Sequence, residues 1–251
     1  MSMKLFAILW LTGMTGVISI LGMNLPIPED EELQLPLWGI KLLSLIQPTI
    51  LLAIAVSIGV ALAHKVRLSA PLAEAVAYGT SLRRAIQPQV IPGIIGGLLG
   101  SIVLITIEFF AKPFLPLDFV LKGEAFSNNT SFLTRILYGG ITEELLLRWG
   151  MMTLFVWIGW RIFAKGQGEP STFYFVAAIA LSAFLFGLGH LPLVFALGTQ
   201  VTTLVIAYII VGNSVFGLIA GYLYWHQGLE AAMIAHMLFH IVLVTANYFA
   251  R

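Results

Sequence analysis

The sequence predicts an all-α, polytopic transmembrane bundle of seven or eight spans, and three observations carry that prediction. The 251 residues are 59% hydrophobic and only 10% charged, with a mean hydropathy of +0.96. A water-soluble domain keeps roughly a quarter of its residues charged. The apolar residues also come in unbroken runs, long enough to cross a hydrocarbon layer about 30 Å thick. Finally, Lys and Arg gather in alternate connections, as in a chain threaded repeatedly through a bilayer. A net charge of +1 with no basic stripe gives nucleic acid nothing to grip. The chain has no cysteine, which excludes disulfides, thiolate catalysis and cysteine-bound zinc together.

The first run, about residues 5–24, follows Lys4. It is longer than the apolar region of a signal peptide, and "GMNLPIPEDEE" follows where a small-x-small cleavage site would stand, so it reads as a retained span. Further spans are expected at about 39–63, 91–111, 131–163, 172–190, 199–224 and 228–249. The run 131–163 is too long for one upright crossing at about 1.5 Å per residue. Strong tilt or a break near Gly150 is therefore expected, and the run 199–224 could divide at "VGNS", residues 211–214.

The connection after the second span carries Lys65, Arg67, Arg83 and Arg84, and the one after the fourth carries Arg161 and Lys165. The connection after the first, "PEDEELQLP", is acidic. This pattern places the N-terminus in the cytoplasm. Residues 69–89 read as an amphipathic helix on the cytoplasmic surface. Trp149, Trp157, Trp160, Tyr222, Tyr224 and Trp225 read as an aromatic belt, and Gly93/Gly97, Gly96/Gly100 and Gly217/Gly221 as small-residue faces for close helix packing. No repeat or linker divides the chain, so residues 1–251 read as one integral membrane domain.

Charges inside apolar runs are the functional signal. "GGITEELLLRWG", residues 139–150, holds Glu143, Glu144 and Arg148. Each charge costs about 2.5–3.5 kcal/mol at mid-bilayer, so all three must face the protein interior or a wet cavity. Glu144 and Arg148 are spaced i, i+4 with the acid first, the favourable order for a supporting ion pair. Glu143 lies about 100° around an α-helix from its neighbour and has no local cation. An unpartnered carboxylate in a partly dry site suits a general base near neutral pH.

Three histidines extend the pattern. His190 ends "SAFLFGLGHLP" in the fifth span, and His236 and His240 share one helix face in "AAMIAHMLFHIVL". His64 and His226 sit at span ends and read as interfacial. Glu143 and a histidine could activate a water while the paired histidines steady a developing oxyanion. Glu143, His190, His236 and His240 could instead hold a divalent metal such as zinc, since an i, i+4 histidine pair is a known zinc arrangement. Either scheme hydrolyses a peptide bond.

Glu143-Glu144-x-x-x-Arg148, Phe186-x-x-x-His190 and His236-x-x-x-His240, in this order, resemble the signature of the CAAX prenyl protease and bacteriocin-processing family, also called Abi. The resemblance covers roughly residues 130–245, expected as the catalytic core, and "GLIAGYLYWHQGLEAAMIAH" adds to it. It implies an intramembrane endopeptidase acting on a membrane-anchored or lipidated peptide or protein within the bilayer, with the cell membrane of a prokaryote as its expected location. By matching positions, Glu143 is the general base, His190 its partner on the water, and His236 and His240 the oxyanion donors, with Glu144 and Arg148 bracing the helix. The prenyl-protease branch usually has asparagine where this chain has His240. Imidazole keeps a hydrogen-bond donor there and is also a better metal ligand, so glutamate-dependent and metal-dependent schemes both stay open. Two non-proteolytic readings compete: an immunity or scaffold protein that binds through the same cavity, and a proton-coupled transporter, which would show internal repeats that this sequence lacks.

Overall fold

The computed structural model describes residues 2–23 and 35–249. Among the described residues, 86% are helical and none lies in a strand. Among the described residues, seven helices are long and apolar enough to cross a membrane: α1 (Met3–Gly22), α2 (Leu37–Val66), α4 (Leu82–Phe114), α6 (Phe132–Phe163), α7 (Thr172–Ala196), α8 (Thr203–Gln227) and α9 (Leu229–Phe249). Two shorter helices, α3 (Pro71–Tyr78) and α5 (Leu117–Asn129), lie between them. The acidic stretch expected after the first span lies largely outside the described residues.

The sequence marks these boundaries with ordinary chemistry. Ser81 caps α4, its hydroxyl accepting the Arg84 amide, and Thr202 does the same for the Val205 amide of α8. Gly79, at φ 72°, ends α3 in the left-handed conformation that favours glycine. These two signals split the single amphipathic helix expected over 69–89. Residues 82–89 instead open the long α4. The α3 helix is no free surface helix either: Ala73, Ala75 and Ala77 are buried, and the Ala73 amide donates to Glu230 Oε1 of α9 at 2.9 Å.

Nor does the run 199–224 divide, since α8 continues unbroken through residues 211–214. α6 runs through Gly150 without a break, and Gly150 packs flat on Ala55. The expected break is absent, and part of the excess length is taken up by the winding. Residues Arg135–Glu143 and Leu145–Met152 are wound as π-helix, with α-helical turns only at either end. The wider i→i+5 turn takes up more residues for a given length of axis.

α6 is the central element. Its first π segment packs on α1 and α9, and its second on α2. The Thr142 hydroxyl donates to the Gly13 carbonyl at 2.7 Å, drawing α1 against it. The glycine pairs sort the remaining helices. Gly93 and Gly97 of α4 face Ile234 and Ala235 of α9, while Gly96 and Gly100 face Leu223 and Phe216 of α8. Gly217 and Gly221 of α8 lie on Ala183 and Ile179 of α7. A Cβ at Gly97 would fall 2.7 Å from the Ala235 carbonyl, so only glycine permits this approach.

Two of the aromatics expected in an interfacial belt are core residues instead. Trp149 packs against Gly59, and the Tyr224 hydroxyl pairs with Thr153 at 2.8 Å, both fully buried. Hydropathy alone cannot distinguish an aromatic at a span end from one turned inward.

Candidate active site

Glu144 and Arg148 occupy the buried face of α6, 0% and 1% exposed. Arg148 Nε stands 3.2 Å from Glu144 Oε2, a charge pair without hydrogen-bond alignment. The guanidinium is held from two further sides. Its Nη2 donates to the Gly217 carbonyl of α8 at 3.0 Å, and its carbon lies 5.2 Å over the Phe186 ring of α7. A Cβ at Gly217 would fall 2.8 Å from the Ala183 side chain, so the bare backbone here sets the close approach of α7 to α8.

The other oxygen of Glu144 reaches into the last span. His236 Nδ1 lies 2.7 Å from Glu144 Oε1. The pair was expected only to brace its own helix, so this bond adds a direct link from the brace to a catalytic candidate. A carboxylate accepts, so His236 donates from Nδ1, and its Nε2 carries a lone pair in the neutral ring. The ring is 2% exposed, packed on Phe216 with centroids 4.4 Å apart and stacked on His240 at 4.9 Å.

His240 is half-buried one turn further along α9. Its Nε2 sits against Gly139 of α6, where a Cβ would collide with the ring, and its Nδ1 has no hydrogen-bond partner among the described residues. His190 closes the main helical part of α7, and its Nδ1 donates to the Phe186 carbonyl at 2.8 Å. A carbonyl can only accept, so His190 Nε2 is the bare nitrogen when the ring is neutral. The Phe186 ring lies between His190, at 4.8 Å, and His236, at 6.0 Å. His190 also lies within electrostatic range of His240.

Glu143 is half-buried and makes no hydrogen bond or ion pair with any described residue, although its charge reaches Arg148 and Tyr138. The structure thus joins Glu144, Arg148, Phe186, His190, His236 and His240 by direct contacts and leaves Glu143 beside them with its carboxylate uncommitted. His64 and His226 are exposed at helix ends, away from this layer.

Among the described residues, no group of three or more His, Asp or Glu side chains is arranged to hold a metal ion. Two of the imidazoles are tied through Nδ1 to Glu144 and to the Phe186 carbonyl, and Glu143 bonds to neither of them.

A second buried polar cluster escaped the sequence reading. Glu230 Oε2 accepts from Gln89 Nε2 at 3.1 Å, and Gln89 Oε1 accepts the Ala231 amide at 2.9 Å. With the Ala73 amide on Glu230 Oε1, this cluster clamps α3, α4 and the first turn of α9 together. An acid just after Gly228, at the start of a span, was its sequence signal.

Residues 126–242 match the family model for Rce1-like, the type II CAAX prenyl endopeptidase Rce1-like family. The matched stretch contains every motif residue of the layer just described, so the resemblance read from those motifs holds over this part of the chain. No curated protein and no solved structure matches.

Proposed function

We propose that this multi-pass membrane protein, whose residues 126–242 carry the Rce1-like family match, hydrolyses a peptide bond within a membrane-anchored or lipidated substrate. The observation that supports this most is the layer joining three separate spans: Glu144 of α6 bonded to His236 of α9, with Phe186 and His190 of α7 against them. Buried polar groups in lipid are costly, and this layer stands next in sequence to a carboxylate that bonds to no described residue.

In the proposed reaction, Glu143 accepts a proton from water. His190 holds that water through the lone pair on Nε2, the nitrogen that its bond to Phe186 leaves bare. The water oxygen attacks the scissile carbonyl and the C–O bond forms. Charge then builds on the carbonyl oxygen, where donors from His236 and His240 stabilise it. His236 donates to Glu144 and to the oxyanion together only as an imidazolium, a form that the adjacent carboxylate pairs. Glu143 returns its proton to the amine nitrogen, the C–N bond breaks, and the two peptide fragments leave. Glu144 and Arg148 hold the imidazole in place.

Burial along α9 supports placing the site's open end beyond His240. Leu229 to Met233, Ala235, His236 and Phe239 are buried, whereas from His240 to Phe249 every side chain is partly covered or exposed. Lys65, Arg67, Arg83, Arg84, Arg161 and Lys165 all lie at the opposite, closed end. With the N-terminus in the cytoplasm of a prokaryotic cell, the site opens away from the cytoplasm.

The test is Glu143→Gln, which keeps the shape of the side chain but cannot take a proton. Cleavage of membrane-anchored peptides should vanish while insertion and folding persist. Undiminished cleavage would remove Glu143 from the chemistry. The absence of any bond between Glu143 and the imidazoles favours a non-catalytic binding protein as the second reading, under which Glu143→Gln is silent and changes at Gly217 abolish binding.

A further inference from the structure

A cavity of about 500 Å³ lies where the start of α1, the end of α2 and α3 meet Trp149 of α6. None of the residues lining it belongs to the histidine layer. Its walls are apolar, with Leu5, Val60 and Ala63 buried there. One polar atom in those walls stands without a partner. Trp149 Nε1 can only donate, its ring is 1% exposed, and no described residue accepts from it. It lies against Gly59, which lines the same cavity and where a Cβ would collide with the nitrogen. A buried donor left unpaired is costly, and an acceptor seated in the cavity relieves that cost.

The rim carries charge of both signs. His64 and Lys65 close α2, Glu74 stands on α3, and all three line the cavity. Glu74 Oε1 accepts the Ala70 amide at 3.1 Å, while its other oxygen accepts from no described residue. Lys65 has no carboxylate partner among the described residues, although Arg67 nearby pairs with Glu169. Lys65 and Glu74 therefore border one cavity as opposite charges that do not pair with each other. A ligand bearing both charges satisfies the two together.

The level of the rim narrows the choice of ligand. α1 begins at Met3 and α2 ends at Val66, so two span ends meet there. Tyr78, exposed, lines the cavity beside them. Charged span ends and a tyrosine with a wet hydroxyl belong at headgroup depth.

We infer that this cavity seats the headgroup of an aminophospholipid, with its phosphate on Lys65, its ammonium on the free oxygen of Glu74 and an ester carbonyl on Trp149 Nε1. The volume lies within the range of about 300–1,000 Å³ typical of small-molecule sites. It holds a headgroup and glycerol and leaves the acyl chains in the bilayer. The inference does not depend on the protease reading. Trp149 follows Arg148 on α6, so a seated lipid bears on the helical segment that holds the Glu144 brace.

The test measures binding to the full chain in neutral detergent by native mass spectrometry. The probes are dihexanoyl phosphatidylethanolamine, dihexanoyl phosphatidylglycerol, the ether-linked dihexyl analogue of the first, and free phosphoethanolamine. The ethanolamine lipid should bind roughly five- to tenfold more tightly than the glycerol lipid, whose headgroup has no ammonium for Glu74. Glu74→Gln should bring that ratio to about one, because the amide still accepts from Ala70 but carries no charge. Lys65→Gln should weaken both lipids alike by about two- to fivefold, as expected of an exposed cation, with the unfolding midpoint of the lipid-free protein unchanged. The ether analogue, which lacks ester carbonyls, should bind roughly three- to tenfold less tightly than the ester lipid.

Equal binding of the two ester lipids, a preference that survives Glu74→Gln, or affinity untouched by Lys65→Gln would overturn the inference. Equal binding of ester and ether would overturn the placing of the carbonyl on Trp149. Free phosphoethanolamine binding as tightly as the lipid would overturn the lipid source and assign the cavity to a soluble zwitterion.

Discussion

His236 Nδ1 lies 2.7 Å from Glu144 Oε1, and the same carboxylate faces Arg148 through its second oxygen at 3.2 Å. One buried anion therefore holds two cationic or donor groups from different helices. Glu144→Gln leaves Arg148 buried without its adjacent counter-charge, with only the more distant Glu143 facing it. It should destabilise the protein by about 3–5 kcal/mol, the usual cost of stranding one partner of a buried pair. Thermal unfolding in detergent would show this, and an unchanged midpoint would refute the pairing.

Glu143→Gln should behave in the opposite way. Its carboxylate bonds to nothing among the described residues, so stability should shift by less than about 0.5 kcal/mol. Activity should disappear. The two adjacent glutamates thus separate in a single pair of measurements, one by unfolding temperature and the other by cleavage.

Gly139 is the seat of the His240 ring. Gly139→Ala puts a methyl group into Nε2 of that ring, so either the imidazole or α9 must move. Overpacking of this kind costs about 1–3 kcal/mol. Cleavage should fall far more than so modest a loss of stability explains. A variant as active as the parent would show that His240 can leave its slot without consequence.

Glu230 tests the clamp at the closed end. Glu230→Ala strands the Ala73 amide, a buried donor that costs about 1–3 kcal/mol unpaired, and takes from Gln89 Nε2 one of its two acceptors, leaving it the Ala85 carbonyl. Hydrogen exchange should quicken first in α3 and the opening turns of α4 and α9. Uniform quickening across the bundle would contradict the local role.

Topology can be read directly because the chain has no cysteine. Lys122→Cys on α5 should react with an impermeant maleimide added to intact cells, and Lys165→Cys only after permeabilisation. The reverse pattern would invert the bundle and turn the site toward the cytoplasm.

The spans were legible because runs of apolar residues report directly on hydrocarbon. The i, i+4 pairing of Glu144 with Arg148 was legible for a similar reason, being local. The bond from Glu144 to His236 was not, since it closes across 92 positions and depends on how α6 and α9 dock. The π winding of α6 left no trace either, because residue propensities are measured in i→i+4 helices. The surface helix over 69–89 was misread by weighing its periodicity above Gly79 and Ser81, which punctuate it.

On the proposed function, the closure of α9 at Glu230 and its loosening toward Asn247 mean that the histidine layer is approached from one end of the bundle. Incoming chain and departing fragment must then take turns in the same passage. A short peptide released by the cut would linger there as a competitor, so turnover would slow as fragments accumulate, and clearance of debris would govern pace as much as bond breaking does.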